Sequence, residues 1–244
     1  MNDREQFFQS QEQERIDALA QWYLKEQLDF DKKLIRFGYE TIKPYLKGTE
    51  GLELGGADGQ MTKFIVKDFA RLTLVDASSN LLNSIPNYPN LVKVNKLFEQ
   101  FENEWLFDTI IMAHILEHIE SPLMLLERAK QWLNTKGKII GIVPNGHSLH
   151  RLAAVKMGLL KHPCELNSRD HALGHRRVYT PETLRKDIEA AGLRIVEMGG
   201  VFLKPLSNQQ IQEHWTQEMI QGFYELGKDF PENAAEIYVV CEMP

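Results

Sequence analysis

A chain of 244 residues suits a single domain with a substantial core that needs neither disulfides nor metals. Its composition, 43% hydrophobic and 25% charged, is that of an ordinary globular protein without repeats or low-complexity tracts. The net charge is −6 and the 28 lysines and arginines are spread along the chain, which disfavours a nucleic-acid partner because such partners need clustered positive charge.

The N-terminal residues are charged and lack an apolar signal segment, and the longest apolar runs have the length of strands. The two cysteines, Cys164 and Cys241, are far apart and lack the spacing of metal ligands. We therefore expect a cytoplasmic protein with free thiols and no membrane partner. The sequence carries no indication of the oligomeric state.

Two helices are predicted at the start of the chain, in a helical extension over 1–47. The first, over 11–28, has an apolar face with helical spacing. That face is made by Ile16, Leu19, Ala20, Tyr23 and Leu24. The second runs from about Asp31 to Leu46, and Pro44 is expected to kink or end it.

From about residue 50 onward, strand patterns alternate with helix patterns, which indicates parallel strands joined by right-handed crossovers. The predicted strands are Gly51–Leu54, Leu72–Val75, Leu91–Val94, Phe107–Met112 and Lys138–Val143. Helices are predicted at Gly59–Phe69, Ser79–Ser84, Pro122–Leu133 and from Pro181 to Ala191. Two further β-type segments, Arg194–Leu206 and Glu236–Glu242, flank a helical stretch at His214–Gly227.

The turn after the first predicted strand is rich in small residues: Glu53-Leu-Gly-Gly-Ala-Asp-Gly59. Such a turn lets backbone N–H groups approach a ligand closely. Asp76 follows Gly55 at a distance that places an acidic side chain at the tip of the second strand, where it can bind ribose hydroxyls. Asp76 could instead cap the following helix. The dinucleotide and nucleoside-triphosphate glycine motifs are both absent.

The stretch resembles the first motif of the class I S-adenosylmethionine-dependent methyltransferases, with alanine at one position where many members carry glycine. The resemblance implies a doubly wound, Rossmann-like seven-stranded sheet of order 3-2-1-4-5-7-6 with an antiparallel last strand. It implies S-adenosylmethionine as the cofactor. The residues that the resemblance assigns to that cofactor are Glu53, Gly55, Gly56, Ala57, Gly59, Asp76, Ala77, Leu97, Phe98, Ala113 and His114. Phe98 could instead be a core residue.

Within one domain over 1–244, we expect a cofactor-binding half at 48–146 and a C-terminal half at 178–244. The segment between them, 147–177, is too long for a simple connection and is predicted to form a lid or substrate cap.

The fourth strand runs into Ala113-His-Ile-Leu-Glu-His118, which is similar to an element of the ubiquinone-biosynthesis O-methyltransferases. Histidine is the side chain best suited to proton transfer near neutral pH, so His114, then His147, then His118 are candidate general bases. His118 could instead hold the backbone after the strand. Some relatives of the ubiquinone enzymes use a divalent cation, which Glu117 and His118 could hold here. No metal is expected, however, because adjacent residues on a helix point about 100° apart and form a poor chelating pair.

Strand 5 ends at a Pro-Asn pair, and the lid ends in a Gly-His-Arg-Arg-Val-Tyr-Thr element that resembles one in small-molecule methyltransferases. The predicted acceptor contacts are Asn145, His171, His175, Arg176, Arg177 and Tyr179. Arginines there could bind an anionic or hydroxyl-rich acceptor. Alternatively, one arginine ties the lid to a carboxylate of the domain body.

The predicted function is methyl transfer to oxygen or nitrogen of a small molecule. Two alternatives remain open: a non-catalytic S-adenosylmethionine-binding regulatory subunit, and an RNA or protein methyltransferase. The Asn/Asp-Pro-Pro-aromatic tetrapeptide of DNA amino-methyltransferases is absent after strand 4.

Overall fold

The computed structural model describes residues 11–20 and 29–244. Its sheet has seven strands in the order β3-β2-β1-β4-β5-β7-β6. The strands are β1 Glu50–Leu54, β2 Arg71–Asp76, β3 Leu91–Asn95, β4 Phe107–Ala113, β5 Leu133–Pro144, β6 Arg194–Val201 and β7 Glu236–Glu242. β7 is antiparallel to both of its neighbours, and the other pairs are parallel. The predicted strand order is confirmed.

Helices flank the sheet. They are α1 (helical over 11–20), α2 Asp29–Ile42, α3 Thr62–Ile65, α4 Ser79–Ser84, α5 Pro122–Trp132, α6 Leu149–Lys156, α7 Ser168–Ala172, α8 Pro181–Ala190, α9 Asn208–His214 and α10 Gln217–Asp229. Pro44 lies in a 3₁₀ turn directly after α2, so it ends that helix as predicted. Tyr23 and Leu24, predicted on the apolar face of the first helix, lie outside the described residues.

The helix predicted at Gly59–Phe69 is wrong in length, since α3 has a single turn. The amide of Asn90 donates to the carbonyl oxygens of Val66 and Phe69, at 2.7 and 2.9 Å. These carbonyls are therefore bound from outside the segment, and the chain turns into β2 instead of continuing the helix.

The C-terminal third also differs from the prediction. β6 ends at Val201 because Phe202 adopts a left-handed backbone conformation with a φ of +61°. The single helical stretch predicted at His214–Gly227 is two helices, since the Thr216 side chain accepts a hydrogen bond from the Met219 N–H and begins α10.

Both faces of the sheet are covered. On one face, α5 and α8 pack Leu125, Trp132 and Leu184 against the strands. On the other, α2 and α3 contribute Ile42 and Ile65 to a second apolar cluster. Phe202 extends the core between α2 and α10, stacking 5.9 Å from Phe37. A doubly wound sheet with covered faces leaves the carboxyl-terminal edge of its parallel strands for ligands.

Helix starts follow the predicted signals. The Ser121 side chain accepts from Met124 N–H at the start of α5, and Thr180 does the same for Thr183 at the start of α8. Within the described residues, no helix has the length and apolar character required to cross a bilayer.

Two glycines of α10 give opposite predictions. A Cβ at Gly227 would lie 2.4 Å from the backbone nitrogen of Phe202, whereas a Cβ at Gly222 would meet nothing within 4 Å. We expect Gly227→Ala to lower the free energy of unfolding by about 1–3 kcal/mol through overpacking. Gly222→Ala should raise it by roughly 0.5–1 kcal/mol through helix propensity. Urea denaturation of both variants measures this, and equal effects would contradict the close approach.

Candidate functional site

A cavity of about 360 Å³ opens at the carboxyl-terminal edge of the sheet. It lies beside the tips of β1, β2 and β4, and continues to the ends of β5 and β6 and the start of β7. Nine of the residues predicted to bind cofactor line it: Gly55, Gly56, Ala57, Asp76, Ala77, Leu97, Phe98, Ala113 and His114. The volume is in the range of small-molecule sites.

Asp76 is buried at the tip of β2, and its carboxylate holds the turn after β1. One oxygen accepts from Gly56 N–H at 3.0 Å, and the other accepts from Ser78 N–H at 2.8 Å. Burial raises the pKa of Asp76, although these backbone N–H groups oppose the rise. Each carboxylate oxygen can accept a further hydrogen bond, so a ribose diol can be bound at the cavity wall.

The turn itself has two left-handed residues next to the cavity. Gly55 has a φ of +74°, and Ala57 a φ of +43°. A non-glycine residue with positive φ is uncommon and clusters at ligand sites. Gly59 does not line the cavity that the described residues form. A Cβ there would lie 2.9 Å from Ile85, so this glycine serves packing.

Glu53 lies on β1 and is 1% exposed, outside the lining of the cavity as the described residues form it. Its Oε2 accepts from the Thr62 hydroxyl at 2.7 Å, whereas Oε1 has no hydrogen-bond partner among the described residues. Burial raises the pKa of Glu53 to about 8. A buried orphan oxygen under the cofactor turn fits a carboxylate that receives a hydrogen bond from a bound ammonium group or water.

Apolar side chains complete the cofactor end. Leu97 is buried, and Phe98 packs against the core cluster that includes Ile115. All three line the cavity, as does Leu81 on α4. This is a surface against which a flat aromatic base can pack.

Helix α1 covers this end of the cavity, which the sequence did not indicate. The Gln13 amide donates to the Ala77 carbonyl at 3.0 Å, and Arg15 donates to the carbonyls of Gly174 and His118 at 3.2 and 3.4 Å. Ile16 and Leu19 line the cavity from the same helix. Helix α1, part of the predicted helical extension, is therefore one wall of the site.

His114 stands at the tip of β4 between two carboxylates. Its backbone is left-handed, with a φ of +57°, and its N–H donates to the Ile142 carbonyl of β5 at 2.8 Å. Nδ1 lies 3.2 Å from Glu117 Oε1, and Nε2 lies 3.4 Å from Glu236 Oε1. Burial lowers the pKa of His114, but the charge of Glu236 and the hydrogen bond to Glu117 raise it to about 9 overall. The imidazole is therefore protonated at neutral pH.

His118 and His175 lie side by side on the cavity wall, with ring centroids 4.8 Å apart. Burial lowers the pKa of His118 to about 4, so that ring is neutral. His175 is oriented by Asp170, whose Oδ1 lies 3.1 Å from Nδ1. Together with Glu117 they bring three donor atoms within 4.8 Å of one another, a set of the type that can hold a divalent cation. That the protein needs no metal remains a prediction.

The segment 147–177 contains α6 and α7 and lines the cavity with His150, Arg151, Asp170 and His175, among others. Arg151 is buried and forms an ion pair with Asp170 at 3.0 Å. Its remaining donors reach the carbonyls of Pro163 and Glu165. An arginine thus ties this segment together internally, a role that the sequence analysis did not assign to this residue.

Five predicted catalytic or acceptor residues do not line the cavity as the described part of the chain forms it: His147, His171, Arg176, Arg177 and Tyr179. Tyr179 is buried and donates to Asp187 at 2.9 Å. Arg177 donates to the backbone carbonyls of Leu116, Ile119 and Glu120, and Arg176 pairs with Glu12 at 2.8 Å. The catalytic or acceptor roles of these five residues stay predictions. Arg176 ties the end of the 147–177 segment to a carboxylate of helix α1, where the alternative named a carboxylate of the domain body.

Asn145 lines the cavity, but its side chain is used within the protein. Its amide donates to the carbonyls of Glu232 and Ala234, each at 2.9 Å, and its Oδ1 accepts from His147 N–H at 2.8 Å. These bonds join the end of β5 to the residues that lead into β7.

Sequence reasoning missed the charged groups at the far end of the cavity, among them Glu236 and Lys204. Burial lowers the pKa of Lys204 to about 8. Each residue interrupts an apolar run, Ala-Ala-Glu-Ile-Tyr-Val and Val-Phe-Leu-Lys-Pro-Leu. A charge within a buried strand pattern is the signal that could have identified them.

A family model described as "Methyltransferase domain" matches residues 8–198. A ubiquinone biosynthesis O-methyltransferase of Coxiella burnetii (strain RSA 331 / Henzerling II) is 22% identical over 182 residues, covering 72% of this chain and 76% of the relative. The N-methyltransferase NodS from Bradyrhizobium japonicum WM9, solved with S-adenosyl-L-homocysteine, aligns with a TM-score of 0.57 at 16% identity, over 96% of this chain and 97% of NodS.

A third comparison is the plantazolicin methyltransferase BpumL, solved with a triazolic desmethylPZN analog and S-adenosylhomocysteine. It aligns with a TM-score of 0.59 at 16% identity, over 96% of this chain and 98% of BpumL.

A doubly wound sheet with a buried acidic side chain beside a small-residue turn is typical of nucleoside-cofactor enzymes of the Rossmann-like class. The family match over most of the chain specifies it further: this chain belongs to the methyltransferase domain family. It is an S-adenosylmethionine-dependent methyltransferase, and S-adenosylmethionine is its cofactor.

The buried carboxyl of Glu53 predicts a pH dependence of stability. Its pKa rises from 4.5 to about 8 on folding, so the native state binds more protons between these values, and stability falls as pH rises through this window. We expect Glu53→Gln to stabilise the ligand-free protein by on the order of 1–3 kcal/mol at pH 9 and to have little effect at pH 5. Denaturant titration at both pH values measures this difference.

The exposed Glu104→Gln is the matched control, with an expected change within about 0.5 kcal/mol at either pH. A Glu53→Gln variant that is less stable than the parent at pH 9 would show that the ionised carboxylate has a favourable partner.

Proposed function

We propose that this protein transfers the methyl group of S-adenosylmethionine to oxygen or nitrogen of a small-molecule acceptor. The observation that carries the proposal is the single cavity that extends from Asp76 to Glu236 and Lys204. It has an apolar and ribose-binding end for the cofactor and a polar end for a second molecule.

Enclosure supports a small acceptor. Helix α1 lies over the cofactor end, and α6 and α7 contribute to the wall of the other end. An RNA or a folded protein needs an open groove, and an RNA also needs clustered positive charge. The polar end instead mixes acidic and basic groups: Asp31, Arg169, Asp170, Lys204 and Glu236. That mixture suits a compact polar compound.

The residues divide the work in the following way. Asp76 binds the ribose hydroxyls, and Leu97 and Phe98 pack on the base. Glu53, which lies behind the turn, is linked to the cofactor's ammonium group through a water molecule. S-adenosylmethionine supplies an electrophilic methyl carbon on a sulfonium. The left-handed residues Ala57 and His114 shape the wall between the two ends, so that the acceptor is held in line with that carbon.

A regulatory subunit remains the alternative from another class. A regulatory subunit would need the end of the cavity that binds the cofactor. It would not need a second, charged end that can bind another molecule. The polar end therefore favours an enzyme that binds two molecules.

Methyl transfer can be tested without knowing the acceptor. The purified protein is incubated with methyl-labelled S-adenosylmethionine and a low-molecular-mass cell extract, and the products are separated by size. We expect label in small compounds with release of S-adenosylhomocysteine. Binding without release would indicate a regulator, and label in RNA or protein after addition of those fractions would indicate a macromolecular acceptor.

Asp76→Asn tests the cofactor site. The amide loses the charge and one of the two acceptor oxygens, so we expect about 10- to 100-fold weaker binding of S-adenosylhomocysteine by calorimetry. Asp229→Asn, an exposed position at the end of α10, is the control and should bind as the parent does. Circular dichroism confirms that both fold. Unchanged affinity in Asp76→Asn would place the ribose elsewhere.

A further inference from the structure

Glu236 is the first residue of β7, and the antiparallel placement of that strand brings its carboxylate to the cavity edge. Its Cα pairs with Pro144 at the end of β5. The residue is 7% exposed and lines the polar end of the cavity. Oε1 lies 3.4 Å from His114 Nε2, and Oε2 has no hydrogen-bond partner within the part of the chain that the structure describes.

His114 was the leading candidate for the base, but both of its ring nitrogens already face carboxylates. Nδ1 is 3.2 Å from Glu117 and Nε2 is 3.4 Å from Glu236. The hydrogen bond to Glu117 and the nearby charge of Glu236 both favour the protonated ring, which has no free lone pair for an acceptor proton. The carboxylates beside the ring keep lone pairs and can take that proton.

Of the two carboxylates, Glu236 is the one that can meet a second substrate. Glu117 is fully buried and does not line the cavity formed by the described residues, whereas Glu236 does. Asp76 and the β1 turn bind the nucleoside, so the sulfonium end of the cofactor points towards the tip of β4, where Ala113 and His114 lie. Glu236 stands on the far side of His114 from the nucleoside end.

We propose that the Glu236 carboxylate, held in place by His114, faces the transferable methyl group and takes the proton of the acceptor. This inference rests on the proposed methyl transfer to a small acceptor. In the step, a lone pair on the acceptor oxygen or nitrogen forms a bond to the methyl carbon. The sulfur–carbon bond breaks and its electron pair stays on sulfur. The acceptor proton moves to Glu236, which becomes a carboxylic acid and later releases the proton to solvent.

The surroundings of Glu236 suit that role. Burial raises the pKa of Glu236, while the charges of His114 and Lys204 lower it and those of Glu117 and Asp31 raise it. The net direction is upward, which brings a carboxyl group closer to the working pH of a general base. His114 comes from the end of β4, Lys204 follows β6, and Asp31 belongs to α2, so three parts of the fold set the charge here.

Sinefungin tests this placement without an acceptor. In that analogue a carbon bearing an amino group replaces the methylated sulfonium, so a positive charge occupies the position of the transferred methyl group. S-adenosylhomocysteine lacks that charge. We expect the parent protein to prefer sinefungin, and Glu236→Gln to lose about 10- to 100-fold in sinefungin affinity while its S-adenosylhomocysteine affinity changes less than about twofold.

The preference should also depend on pH. As pH falls and Glu236 becomes protonated, the parent protein loses its preference for sinefungin, whereas Glu236→Gln shows no such loss. Calorimetry over a pH series measures both ligands. Glu232→Gln, an exposed glutamate four positions earlier, is the matched control and keeps the preference of the parent.

Each outcome decides a separate question. Failure of the parent to bind S-adenosylhomocysteine overturns the proposed function. Normal binding of that product, with equal effects of Glu236→Gln on both ligands, overturns only the role of Glu236. If Glu236→Gln does not fold, Glu236→Asp keeps the charge on a shorter arm and should retain the sinefungin preference; its loss there overturns the proposal.

Discussion

The bond between Gly56 N–H and the Asp76 carboxylate is the constraint on which the site depends. It joins the turn after β1 to the tip of β2, and the same carboxylate also accepts from Ser78 N–H at the start of α4. A buried carboxylate must be hydrogen-bonded, so the two strand tips and α4 are fixed relative to one another. The cavity opens beside this junction. A ribose bound there would donate its hydrogen bonds to a carboxylate whose orientation is already fixed.

The opposite end of the cavity is built differently. There, the fold brings charged groups from distant parts of the chain together in one buried place. His114 stands between Glu117 and Glu236, and Lys204 acts on the same carboxylate. The histidine gains a proton as a result of its neighbours, and this changes its chemistry from base to cation. From residue type alone, His114 would be assigned as a neutral general base.

Strand order and a buried acidic side chain at the tip of β2 could be predicted from the sequence because each depends on a local signal. Alternating apolar runs, the small-residue turn and the spacing to Asp76 are all readable along the chain. The contacts of Arg177 and Tyr179 could not be predicted from the sequence in the same way. Both belong to a motif that resembles an acceptor-binding element, yet Arg177 binds backbone carbonyls after β4 and Tyr179 bonds to Asp187. The direction of a side chain after a long segment depends on tertiary packing.

By itself, then, the sequence determined the fold class and the cofactor, since short-range spacing and periodicity encode them. Only the tertiary structure decided what covers the cavity and which charged groups meet at its polar end. Helix α1 meets the Ala77 carbonyl from a position 64 residues earlier in the chain, and Glu236 reaches His114 from the last strand. Such contacts arise from the way in which distant segments pack, and neither residue carries a local pattern that specifies its partner.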